Sequence, residues 1–196
     1  MKKTIIILFV IVSIVGILAM GCNGKGKVNG HEYVDLGLSV KWATCNVGAD
    51  VPEAYGDYFA WGETKPKKKY TEYNYSYFSD TPVLPASADA ATVNWGAEWR
   101  MPTEAEFEEL KTKCKWTWME NGYKVEGPNG NSIFLPTAGG ICGTQFSNDG
   151  LGSYWTASLN IYFTSGASYL GFDVDNCEIS TMFRRMGLAI RPVCSK

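Results

Sequence analysis

Trp99-Arg100-Met101-Pro102-Thr103-Glu104-Ala105-Glu106-Phe107-Glu108-Glu109-Leu110-Lys111-Thr112-Lys113-Cys114 is the one stretch of this chain with a convincing helical pattern. Thr103 and Glu106 stand at the spacing of a capping box, in which the threonine hydroxyl accepts from the N3 amide and the glutamate reaches back to the cap's own N–H. Acidic residues crowd the first turn and lysines the last, as the helix dipole favours. Phe107, Leu110 and Cys114 share one face, which is predicted to turn to the core. A shorter helix is predicted over Ser87 to Asn94, where Ala88, Ala90 and Ala91 are good formers and Gly96 ends the run.

Outside these segments the chain reads as strands and loops, because Gly (21), Trp (7), Tyr (11) and Phe (9) are frequent and no other helical period emerges. The predicted strands are Glu32 to Leu36, Val40 to Ala43, Asp57 to Trp61, Tyr123 to Val125, Ser132 to Leu135, Tyr154 to Ser158, Ser168 to Val174 and Leu188 to Val193. Pro128-Asn129-Gly130-Asn131 is a turn signal between two of them. Lys65 to Pro85, polar and tyrosine-rich with the run Lys67-Lys68-Lys69, reads as a loop, and one of that length is functional or mobile. Most of the chain is therefore expected to be short strands and loops.

Met1-Lys2-Lys3 followed by the apolar run Thr4 to Gly21 has the form of a signal peptide, with an uncleaved membrane anchor as the alternative. Leu18-Ala19-Met20-Gly21-Cys22 places small residues beside a cysteine, as a lipobox does, so the expectation is cleavage after residue 21 and lipid on Cys22. Acyl chains then hold the protein on a membrane of the cell envelope, here expected to be the outer membrane, with its face left open. Residues 22–30 are expected to be a flexible tether, and residues 31–196 one domain. Without Lys2 and Lys3, 16 basic side chains face 20 acidic ones, a net charge of about −4, and no basic patch favours nucleic acid. The remaining Cys45, Cys114, Cys142, Cys177 and Cys194 are odd in number, so at least one stays out of any disulfide set, and fifteen arrangements of two bridges are open. With His31 as the only histidine and no CxxC pair, a metal site of His and Cys is not expected.

Five ordered motifs resemble one family: Tyr33 to Ala49 (YVDLGLSVKWATCNVGA), Gly56 to Glu63 (GDYFAWGE), Trp99 to Thr103 (WRMPT), Gly130 to Pro136 (GNSIFLP) and Gly187 to Val193 (GLAIRPV). The chain is similar to the Fibrobacter succinogenes major paralogous domain, common among lipoproteins of Bacteroides-like bacteria. Arg100 to Phe107 also resembles the helix-opening motif of the formylglycine-generating-enzyme group, which shares the C-type-lectin-like fold. The resemblance implies that α+β fold: one or two helices packed on twisted antiparallel strands, with terminal strands paired and long loops on one face. It does not imply that group's activity, because Cys194 does not reproduce the paired cysteines on which those enzymes rely. It also implies a Cys45–Cys114 disulfide, since the two motifs occur together.

Asp173, Asp175, Asn176 and Glu178 form a dense set of oxygen ligands, with calcium as one reading and a solvated hairpin turn as the other; no cofactor or metal is otherwise expected. Glu104, Glu106, Glu108 and Glu109 read as a cap and an exposed helix face. Arg100 and Arg191 are expected to hold the fold by pairing with acidic neighbours, and His31, at the end of a tether, has no rigid setting for a base. No G-x-S-x-G turn is present, and the chain is not expected to be an enzyme. The segment from Tyr154 to Arg185 mixes aromatic and small polar residues as recognition surfaces do, and Asn160, Tyr162, Thr164, Ser168, Tyr169 and Asp173 are the candidate ligand contacts. The expected function is a lipid-anchored binding or adhesion domain for a glycan or protein, the alternatives being an envelope assembly protein and a secreted hydrolase.

Overall fold

The computed structural model describes residues 24–196; the expected signal peptide and the expected lipid site Cys22 lie outside them. Along the chain run β1 (Lys25–Val28), β2 (His31–Asp35), β3 (Lys41–Ala43), α1 (Ala90–Trp95), β4 (Trp99–Arg100), α2 (Glu104–Lys113), β5 (Lys115–Met119), β6 (Gly122–Glu126), β7 (Ser132–Pro136), β8 (Gly140–Cys142), β9 (Gln145–Ser147), β10 (Gly152–Leu159), β11 (Gly166–Phe172), β12 (Cys177–Phe183), β13 (Gly187–Leu188) and β14 (Val193–Cys194). The paired strands form four antiparallel sheets, in the orders β1-β2-β3-β14-β4, β10-β11-β12, β13-β8-β9 and β5-β6-β7. The architecture is mixed α+β, with the last strand lying between β3 and β4 near the start of the chain.

Helix α2 forms as its sequence dictates. The Thr103–Glu106 capping box is closed in both directions, and Phe107 and Leu110 are fully buried. Each of these side chains contributes about 1.5–3 kcal/mol by leaving water. Arg100 also grips the Glu106 carboxylate through two guanidinium nitrogens, so cap and preceding strand are locked together. The second predicted helix is shorter: Ala86–Ala88 make a single 3₁₀ turn, and Asp89 restarts the chain as the N-cap of α1. The Asp89 carboxylate accepts from Thr92 N and Met101 N, and burial holds its pKa above the usual range in spite of those donors.

Two apolar clusters share the strands as a common wall. Val34, Trp42, Tyr154 and Val193 point to the cluster under α2; their chain neighbours Ala43, Trp155 and Cys194 point to the other, around Trp61, Trp99 and Ile190. A strand with period-two side chains and a core on each face must be apolar on both, which is why these stretches are so rich in large residues.

Three strand expectations are corrected. Folded structure begins before His31: residues 25–28 pair with β2, and Asn29 and Gly30 form a two-residue turn with φ of 47° and 83°. That is the geometry of an Asn-Gly hairpin. Val28 packs on the core and its carbonyl accepts from Trp99 Nε1, so the stretch read as a tether is an edge strand. Residues 57–61 make one isolated bridge, Phe59 to Leu188, in which Phe59 O accepts from both Leu188 N and Trp155 Nε1; on either side the carbonyls are taken by side chains, Tyr58 O by Tyr70 Oη and Trp61 O by Tyr75 Oη. The 188–193 run divides into β13 and β14 around Arg191 and Pro192, which lacks a ladder donor.

Cys45, Cys114, Cys142, Cys177 and Cys194 are all free thiols, so the implied Cys45–Cys114 bridge is absent. Cys114 packs at the end of α2 against the cluster around Phe107, whereas Cys45 lines a hollow beside His31 and Trp95. Arg191 is fully buried and takes no acidic partner among the described residues; it donates to Asn46 Oδ1 and to the carbonyls of Ala43, Thr44 and Phe134.

Candidate functional site

The segment read as a long loop is pinned to the body at many points. Tyr70 is buried and exchanges two backbone hydrogen bonds with Gly143. Tyr75 Oη donates to Trp61 O at 2.9 Å, and the Tyr77 ring stands edge-on to Trp61 at 5.8 Å. Burial holds the Tyr75 phenol above its ordinary pKa, against the pull of the Arg184 charge. Gly62 is required here: a Cβ at this position would sit 2.0 Å from the Tyr77 ring, and φ is 79°. Arg184 Nη1 reaches Ser79 O at 2.8 Å, and Leu84 N and Leu159 N join the end of the segment to β10. With its backbone and aromatic groups satisfied in this way, the segment is an ordered strap.

Two depressions adjoin the strap. One, of about 450 Å³, is lined by Glu63, Lys67, Asn74, Ser76 and Tyr77. Lys67 pairs with Glu63, and Glu63 also accepts from Ser76; Lys65, also in the lining, is exposed. The other, of about 290 Å³, is lined by Glu72, Tyr75 and Phe78 of the strap and by Thr164, Ser165, Arg184 and Arg185 of the C-terminal segment. In this lining Phe78 is 76 % exposed, and in the chain just before Thr164 Ile161 is 62 % and Tyr162 94 % exposed. Phe163 and Phe183, also exposed, meet edge-on at 5.5 Å, and the Arg185 guanidinium lies 4.2 Å over the Phe183 ring. Exposed aromatics gathered about a concavity mark an interaction face, whereas scattered ones do not.

The six candidate contacts are divided by this geometry. Tyr162 and Thr164 stand in the loop between β10 and β11, and Thr164 lines the second depression. Asn160 frames that loop: its Oδ1 accepts from Tyr162 N and Phe163 N, and its Nδ2 donates to Thr181 Oγ1. Ser168 is a correction. It is buried and donates to Glu104 Oε2 while its carbonyl accepts from Thr156, which anchors α2 to the sheet and leaves nothing for a ligand. Tyr169 packs edge-on to Trp155 and lines a separate hollow of about 120 Å³ with Asp173. Asp173 lies beyond the far end of β11 from Thr164, roughly 20 Å away for a seven-residue strand. One small ligand cannot span the two.

Asp173 Oδ1 accepts from the backbone N–H groups of Asp175 and Asn176, which hold its carboxyl below the ordinary range and close the β11–β12 turn. Among the described residues no group of three His, Cys, Asp or Glu side chains is placed to hold a metal ion. His31 is set in β2 and stacks on Trp95 with ring centroids 3.8 Å apart; burial, aided by Lys27, lowers its pKa. Arg184, Arg185, Tyr75 and Phe78 escaped the sequence reading of contacts. The one signal for them was the length of the Lys65 to Pro85 segment, since nothing in the sequence brings it beside Arg184.

Among the described residues no helix is long and apolar enough to cross a membrane. No family model, curated protein or solved structure matches the chain.

Proposed function

We propose that this chain is a lipid-anchored binding or adhesion domain of the cell envelope, recognising a glycan or protein with the face formed by the strap and the β10–β11 loop. The observation that carries this reading is a set of water-facing apolar side chains, Phe78 in the lining of the polar concavity and Ile161, Tyr162, Phe163 and Phe183 in the chain next to its lining residues Thr164 and Arg184. A C-type-lectin-like architecture and membership of the Fibrobacter succinogenes major paralogous domain family belong to the same proposal. Pairing of the last strand with β3 and the placing of the long segments together on one face are consistent with them. The anchor is assigned to Cys22, which a Cys22→Ala chain tests by losing palmitate labelling.

The binding reading is tested with the full-length chain in detergent micelles on arrays of glycans and envelope proteins. Specific binding that survives Lys115→Ala on β5 and is lost in a Phe78→Ala/Tyr162→Ala chain is the expected result. A folded chain that binds nothing on either array and cross-links only to itself or to fixed envelope neighbours overturns it in favour of an assembly role.

A further inference from the structure

Arg184 is an unusual side chain for this position. It is only 8 % exposed, its guanidinium lies 5.7 Å over the Trp61 ring, and one nitrogen donates to Ser79 O. A guanidinium has five N–H donors, so most of its capacity is unused. Among the described residues neither Arg184 nor Arg185 has a carboxylate within ion-pair distance. Charges withdrawn from water are ordinarily paired. Glu72 shares the same depression and offsets one of the two cations at a distance, which leaves the hollow net positive. In the neighbouring depression Lys67 is ion-paired with Glu63 and the second cation, Lys65, is exposed, so no buried cation there lacks an anionic partner.

The rest of the lining narrows the ligand. Tyr75 and Phe78, edge-on at 5.5 Å, give an apolar wall, and Thr164 and Ser165 bring hydroxyls that both donate and accept. Guanidinium forks match the planar geometry of a carboxylate. The volume of about 290 Å³ is at the small end for a ligand pocket, which suits a terminal unit better than a length of chain.

We propose that this depression seats an acidic saccharide unit, its carboxylate on Arg184 and Arg185, its ring against Phe78 and its hydroxyls on Thr164 and Ser165. The inference rests on the binding role proposed above and names the ligand class of that site.

The test is isothermal titration calorimetry of the full-length chain in detergent micelles. The probes are galacturonate, glucuronate and mannuronate oligosaccharides, their neutral methyl esters, and hexaglutamate. At least one uronate should bind, and its ester should bind about tenfold or more weakly, the loss of a charge-assisted hydrogen bond. Arg185→Gln should weaken the acid by a similar factor and close the gap to the ester, with an unchanged unfolding temperature. Because Arg184 also holds the strap, Arg184→Gln carries a fold risk, so Arg185→Gln and Thr164→Val are the deciding variants. Equal binding of acid and ester, or an acid affinity that Arg185→Gln and Thr164→Val both leave intact, overturns the proposal. So does binding of hexaglutamate with no uronate bound. If a neutral glycan binds and the Phe78→Ala/Tyr162→Ala chain loses it, the binding face stands and only the acidic unit falls. If no saccharide or envelope protein binds in either experiment, both readings fall.

Discussion

Replacing Arg191 by Met keeps most of the side-chain volume and removes every donor. In the native chain Nε lies 2.8 Å from Asn46 Oδ1, and Nη1 lies 3.3, 3.0 and 2.9 Å from the carbonyls of Ala43, Thr44 and Phe134. Arg191 therefore ties the last strand region to the end of β3 and to β7. Loss of the donors leaves buried acceptors unsatisfied, at roughly 1–3 kcal/mol each. Relief of the desolvated guanidinium, which is wholly buried and has its pKa lowered by burial, offsets several kcal/mol of that. The balance is a destabilisation of about 2–4 kcal/mol, a large share of the roughly 5–15 kcal/mol that holds an ordinary domain folded. Urea unfolding followed by tryptophan fluorescence measures it. Adding Asn46→Leu should cost less than its single-variant effect by about 1 kcal/mol, since one orphaned acceptor is then gone. A loss under about 0.5 kcal/mol for Arg191→Met, or strict additivity of the pair, would refute the reasoning.

Four further outcomes are expected. Burial pulls the Glu109 carboxyl upward, but Ser39 and Lys113 more than offset this and hold it at about 2, while Arg100 and Thr103 keep Glu106 below its ordinary value against its own burial. A carboxyl with a folded pKa below its unfolded value stabilises above the unfolded pKa and loses that contribution as pH falls, so the unfolding temperature should drop between about pH 4.5 and pH 2; Glu109→Gln should flatten the slope, and an identical slope would contradict the assignment. Maleimide should label exposed Cys142 in the native chain and buried Cys194 only after unfolding; a Cys45–Cys114 peptide in a non-reduced digest would overturn the free-thiol arrangement. Thr103→Ala should cost about 1 kcal/mol through loss of the α2 cap, and no change in the urea midpoint would count against the capping box. Gly30→Ala meets no atom within 4 Å, so its cost of roughly 1–2 kcal/mol should come from φ alone; a neutral result would mean the Asn29-Gly30 turn is not left-handed.

The local signals in this sequence were strong where one element decides its own geometry. The Thr103–Glu106 box and the Phe107–Leu110 face specify α2 whatever it packs against, and alternation in 32–36 and 132–135 specifies strands with a buried side. Asn29-Gly30 carried the same kind of signal as Asn129-Gly130, but the small polar residues around it read as a tether, and only its neighbours Trp95 and Trp99 make residues 25–28 worth ordering. Strand 57–61 failed for the opposite reason: its composition is right, but beyond the single Phe59–Leu188 bridge the phenols of residues 70 and 75 claim the carbonyls of Tyr58 and Trp61.

The candidate site was legible only in part, because a recognition surface is a property of which side of a strand a residue occupies and what lies across from it. Sequence alone determined the mixed helix-and-strand composition, α2 and its cap, and the segments 65–85 and 154–185 as the places where exposed chemistry concentrates. Tertiary structure decided which of those residues meet. Packing turns Ser168 inward to Glu104, sets Asp173 at the far end of β11, and brings Phe78 to Thr164, 86 residues on, and to Arg184 and Arg185, more than a hundred residues on. Residues that far apart in sequence are joined by burial and by the strap's anchors on Trp61, and no pattern in a single stretch encodes that meeting.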